Sequence, residues 1–115
     1  MALAWTTSTL AAEIVEIQWT SAGHFERTVA VPAGGFAEVC GNLAKGTRIR
    51  WEFVADVAMA FNIHYHIGQE IIYPERREDK AKLTGELVAP VDQDYCWMWS
   101  NKSKSDAQAT LALQR

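Results

Sequence analysis

The sequence lacks any run approaching the roughly 20 consecutive apolar residues that a membrane-spanning helix needs, so no helical span is expected. It also lacks a basic excess: 11 Lys plus Arg stand against 14 Asp plus Glu, a formal net charge of −3. Nucleic acid and anionic membrane both demand concentrated positive charge, and neither is expected as the main partner. Catalytic signatures are missing as well. There is no G-x-S-x-G, no Walker-type loop, no G-x-G-x-x-G and no H-E-x-x-H. Acid pairs such as Glu13/Glu16 and Glu78/Asp79 read as solvated surface charge, so no catalytic residue is named and a non-enzyme is expected. Residues 1–12 carry no basic residue and no continuous apolar stretch, which makes a poor signal peptide and leaves a cytoplasmic protein or a mature domain without its leader as the two readings. They read as an N-terminal extension to a single domain over 13–115.

What is present describes a folded aromatic-rich domain. The chain has 115 residues, enough for one core, with 49% apolar and 22% charged residues in globular proportion. Its dominant period is two. Val15, Ile17 and Trp19 share a face over 13–20, and Phe25, Val29 and Val31 do so over 25–32. Ile49, Trp51 and Phe53 alternate with Arg48, Arg50 and Glu52; Phe61, Ile63, Tyr65 and Ile67 alternate with Asn62, His64 and His66. Further strands are expected at 69–73, 82–89, 94–101 and 107–114. Turn chemistry separates them at Ser21-Ala22-Gly23, Pro32-Ala33-Gly34-Gly35, Lys45-Gly46 and Pro90 with Asp92. The charge-dense stretch 74–82 reads as a solvated loop. Seven to eight short strands between turns predict an all-β fold, a single antiparallel β-sandwich.

Cys40 and Cys96 lie near strand ends, separated by most of the domain. Joined, they close a loop of about 57 residues, worth on the order of 4 kcal/mol in the chain-entropy model. Unpaired, they are two small buried hydrophobes. Spacing alone leaves both readings open.

The succession VPAGGFAEVC, LAKGTRIRWEFV, MAFNI, DYCWMWSN and ATLAL resembles the GOLD domain, the lumenal β-sandwich of secretory-pathway cargo receptors. The resemblance covers roughly residues 31–113. It implies a GOLD-like fold in which Cys40 pairs with Cys96, the latter in a strand ending at Asn101. It therefore implies an oxidising compartment, periplasmic or extracellular, with the chain a mature form without its leader. No membrane anchor, heptad segment or cytoplasmic tail accompanies the pattern, so a complete cargo receptor is not expected. Fold carries over; cargo selection does not.

The sharpest chemical feature is His64-Tyr65-His66. Residues two apart on a strand share a face, with Cα atoms about 6.6 Å apart, and two imidazoles at that spacing can converge on one ion. The alternation sends Phe61, Ile63, Tyr65 and Ile67 inward and the two histidines outward or into a cleft. A stable site needs three or four ligands. If Trp97 and Trp99 fill the core, Cys96 and Met98 face outward and can meet the pair. A disulfide removes Cys96 as a ligand but leaves Met98; His24 and Glu70 are further candidates. Such a His and Met set favours copper, with zinc as the other choice. Against this, a simple hairpin pairing 53 with 61 sets Arg50 beside His64 and Arg48 beside His66, which opposes a cation. Two solvent-facing histidines with no ligand, or a pH-sensing pair, are the competing readings.

Tyr95, Trp97 and Trp99 form an aromatic stripe that either fills the core or, exposed, makes an interaction face for carbohydrate or protein. Asn101-Lys102-Ser103 fits the N-glycosylation pattern, a tripeptide common by chance. Two functions follow as expectations. The first is a non-catalytic exported protein binding copper or zinc through His64 and His66. The second is a GOLD-like protein-interaction module without metal.

Overall fold

Every described element is a strand. The computed structural model describes residues 13–115. Seven strands follow in order: β1 (Glu13–Glu16), β2 (His24–Val31), β3 (Phe36–Leu43), β4 (Arg48–Ile67), β5 (Glu70–Val88), β6 (Gln93–Ser100) and β7 (Ala107–Gln114). Among the described residues no helix is long and apolar enough to cross a membrane. The hydrogen-bonded order is β1-β3-β6-β4-β7-β2, with β5 along the other edge of β4. All pairs are antiparallel except β1 with β3, which run parallel. In that pair the antiparallel expectation is corrected. The expected extension at 1–12, Trp5 included, lies outside the described residues.

β4 gives the fold its two layers. Its first half pairs with β7, from Arg50 opposite Gln114 to Ala55 opposite Ala109. Its second half pairs with β6, from Ala60 opposite Ser100 to His64 opposite Cys96. Between Val54 and Met59 its register against β5 slips, a bulge that lets the strand change layers. One long strand thus replaces the two predicted at 47–54 and 59–67. The hairpin that set Arg50 beside His64 does not form: Arg50 faces Glu86 and Gln114.

The inward set predicted by alternation meets between the layers. Ile49, Phe53, Phe61, Ile63, Tyr95, Trp97, Trp99, Leu111 and Leu113 are all buried, whereas Ile67, expected inward, is exposed where β4 runs out into its hairpin with β5. Phe53 and Phe61 ring centroids are 4.6 Å apart, and Trp99 meets Phe53 edge-on at 5.7 Å. Such pairs add about 0.5–1.5 kcal/mol beyond the area buried. Tyr95, Trp97 and Trp99 are inaccessible, so the interaction-face reading of that stripe is corrected: it is core. Tyr95 is anchored further, donating its hydroxyl to Val91 O at 2.7 Å.

Two segments depart from the sequence reading. The charged 74–82 stretch is strand, not loop, because β5 is an edge held by hydrogen bonds to β4 and needs no apolar face. Residues 76–82 are exposed throughout. Bulges accompany them, one at Asp79 with φ 61°. β3 was not anticipated, since Ala37 and Gly41 weaken its alternation and it is held by pairing with β6. The β4–β5 hairpin turns at Gly68, whose φ of 58° suits the first position of a primed two-residue turn.

Cys40 and Cys96 are directly opposed on β3 and β6 and joined as a disulfide. Asn101 is buried at the end of β6. Its side-chain amide donates to Val31 O and Ser105 O, and its Oδ1 accepts from Ser103. A side chain so committed is not a glycan acceptor.

Candidate metal site

The register lays two rows of side chains across the outer face of the β3–β6–β4 layer. One row is Cys40, Cys96 and His64; the next is Glu38, Met98 and Asn62. Alternation requires this: the intervening positions Val39, Trp97 and Ile63 point into the core. His64, Cys96 and Met98 therefore share a face.

His64 takes the outer face yet is only 6% exposed. Its neighbours cover it. Nδ1–H donates to Asn62 Oδ1 at 2.7 Å, because a carboxamide oxygen can only accept. Nε2 lies 3.3 Å from Glu38 Oε1, diagonally across β6. With Nδ1 carrying the proton of a neutral imidazole, the Nε2 lone pair faces a carboxylate. Such an arrangement is favourable with a cation between the two or a second proton on the ring. A tetrahedral ion with N and O ligands at about 2.0–2.1 Å holds those atoms about 3.3–3.4 Å apart, which matches the observed separation. Asn62 fixes the orientation of the imidazole, as outer hydrogen-bond partners of metal-ligating histidines do elsewhere.

His66 lies on the same face, exposed, its ring meeting His64 edge-on with centroids 5.4 Å apart. Tyr73, from β5, closes the side nearest the hairpin, with its ring centroid 6.1 Å from that of His64. Arg76 is paired opposite Asn62, but its guanidinium rests over the Tyr73 ring at 4.8 Å. Ligand atoms of Glu38, His64 and Cys96 lie within 4.8 Å of one another. The Cys96 sulfur, however, is bonded to Cys40 and is not a thiolate ligand.

Two candidates are not brought to this place. His24 opens β2 in the other layer, opposite Gln114 and in line with Arg50. Glu70 is exposed at the hairpin, opposite Ile67, whose position in the alternation belongs to the inward set rather than to the histidines. Both are corrected on register grounds. Sequence reading also missed Glu38. Once Cys40 is placed opposite Cys96, Glu38 falls two residues along β3, opposite Met98, so the disulfide itself was the signal.

No protein-family model matches the chain, and no curated protein matches it by sequence. Solved structures do share its architecture, which is that of a small all-β domain of sandwich or barrel type. PliG of Aeromonas hydrophila, a periplasmic lysozyme inhibitor of g-type lysozyme, superposes with TM-score 0.64 at 14% identity. The match covers 90% of this chain and 98% of PliG. The pre-peptidase C-terminal domain of Bacillus anthracis collagenase gives 0.62 at 11% identity, covering 95% and 100%. CorA, a surface-associated copper-binding protein of Methylomicrobium album BG8, gives 0.51 at 9% identity, covering 90% and 99%. At these identities the likeness is one of fold.

Proposed function

We propose that this is a non-catalytic exported β-sandwich protein that binds a transition metal ion, copper or zinc, on the outer face of the β3–β6–β4 layer. One observation carries the reading. His64 is buried, its Nδ1 is held by Asn62, and its Nε2 faces the Glu38 carboxylate at 3.3 Å. His64 and Glu38 are the central donors. His66 and Met98 complete the set, a thioether favouring copper and a nitrogen–oxygen set favouring zinc. The Cys40–Cys96 disulfide supports export, and with Asn101 closing β6 it supports the GOLD-like reading. The periplasmic and surface-associated settings of PliG and CorA agree with an exported protein.

The test is calorimetric titration of the disulfide-bonded protein with Cu²⁺ and with Zn²⁺, repeated on His64→Ala, Glu38→Gln and His66→Ala. One equivalent should bind to the parent protein. Binding should be lost in the first two variants and weakened in the third. Equal, weak uptake by all four proteins would leave His64 and Glu38 as an imidazolium–carboxylate pair only.

A second reading, a protein-interaction module without metal, is favoured by Ile67, Ile71 and Tyr73, all exposed on the β4–β5 hairpin. Hairpin variants Ile67→Ser and Ile71→Ser that abolish capture of a partner without altering metal uptake would support it.

A further inference from the structure

The disulfide sits inside the proposed metal site, and this placement has a chemical consequence. Cys40, Cys96 and His64 form one continuous row across three neighbouring strands, with Glu38 in the adjoining row. The Cys96 sulfur is within 4.8 Å of ligand atoms of both His64 and Glu38, and the Cys40 sulfur is bonded to it. In the oxidised protein the two softest ligands are thus tied to each other at the place where the harder ones converge.

We infer that the site is redox-gated: reduction of Cys40–Cys96 converts a nitrogen–oxygen site into a tighter Cys40/Cys96/His64/Glu38 site. The inference rests on the metal reading of the same residues and adds its regulation. A dithiol reductant supplies the electrons. Its two thiols close into a disulfide, the Cys40–Cys96 bond breaks, and two electrons and two protons pass to the two cysteine sulfurs. A divalent ion then binds as both thiols release their protons to the buffer. A four-ligand set of two thiolates, one imidazole and one carboxylate is suited to tetrahedral zinc. The fold can carry the opened state, because β3 and β6 pair in register along Phe36–Leu43 and Gln93–Ser100 independently of the crosslink. Val39 and Trp97 also remain in the core.

The experiment compares oxidised and phosphine-reduced protein, the phosphine becoming its oxide with oxygen from water. Co²⁺ serves as the spectroscopic probe and Zn²⁺ as the competitor, with near-ultraviolet circular dichroism reporting the fold. Reduction should leave the aromatic dichroism in place and introduce thiolate-to-cobalt charge-transfer absorption. Zn²⁺ affinity should tighten by about a hundredfold or more, since thiolates are the stronger ligands. Cys96→Ser should weaken the charge-transfer band, since the Cys40 thiolate remains, replacing both cysteines by serine should remove it, and His64→Ala should weaken binding to the reduced protein. Three results overturn the gate: loss of the aromatic dichroism on reduction, equal affinity in both redox states, or tight binding by the reduced protein that is indifferent to His64→Ala and Glu38→Gln. The failure of the metal reading looks different. There the oxidised protein takes up ion only weakly and equally to its His64→Ala and Glu38→Gln variants, whereas a site without a gate binds specifically and equally in both states.

Discussion

His64 stands directly opposite Cys96 across the β4–β6 pairing and reaches diagonally past it to Glu38, Nε2 to Oε1 at 3.3 Å. Three strands therefore meet at one imidazole, β6 joining the consecutive β3 and β4 from far along the chain. Both of its nitrogens are committed, one to an amide oxygen and one toward a carboxylate. That commitment separates it from His66, which shares its face but stays exposed.

Asn62 should matter to metal affinity although it donates no ligand atom. Asn62→Ala removes the acceptor of the His64 Nδ1–H bond, so Zn²⁺ or Cu²⁺ affinity is expected to fall about 10–100-fold. Asn62→Asp, which keeps an acceptor oxygen, should retain most of it. His24→Ala and Glu70→Gln should change nothing, since both lie off the site. Titration calorimetry on the four variants reads all of this.

The crosslink should contribute strongly to stability. Its ends are 56 positions apart, and replacing both cysteines by serine should lower the unfolding free energy by about 4 kcal/mol. Urea denaturation should still show a single cooperative transition, at a lower midpoint. A non-cooperative profile would mean that strand pairing alone does not define the fold.

Gly85 is a close-approach glycine. It lies opposite Trp51 across β4 and β5, and a Cβ there would come within 2.4 Å of the indole. Gly85→Ala should destabilise by about 1–3 kcal/mol through overpacking. Adding Trp51→Phe should make the two costs less than additive, because the smaller ring yields space. Thermal melts of the two single variants and the double variant complete the cycle.

Tyr95 predicts an alkaline limb. Burial pushes its phenol above the usual 10, partly offset by its hydrogen bonding with the Val91 backbone. The unfolded chain therefore loses this proton first. The stability contribution is intact below pH about 10 and is lost as pH rises toward the folded value. Tyr95→Phe should flatten that limb and cost about 1 kcal/mol at neutral pH for the hydrogen bond. Unfolding measured from pH 8 to 11 decides it; equal slopes would assign the limb to other groups.

The legible part of the fold was whatever depends on side-chain alternation. Trp97 and Trp99 filling the core places Cys96 and Met98 outward, and Ile63 and Tyr65 do the same for His64. Glu38 was illegible because its role depends on the register between β3 and β6, which are separated by more than fifty positions. The 74–82 strand was illegible for a different reason. Its order comes from backbone hydrogen bonds to β4, and edge residues exposed on both faces carry no burial pattern.

By itself, then, the sequence determined which side of each alternating strand meets the core, because a period of two is a local property of the pleated backbone. It also determined that the two histidines and Met98 all point away from the core once the tryptophans are inside. Only the tertiary structure decided that β4 spans both layers, that His24 and Glu70 stand apart, and that Glu38 and the disulfide meet His64. Those facts depend on strand register between distant segments, where a shift of one residue would have turned every one of these side chains to the opposite face.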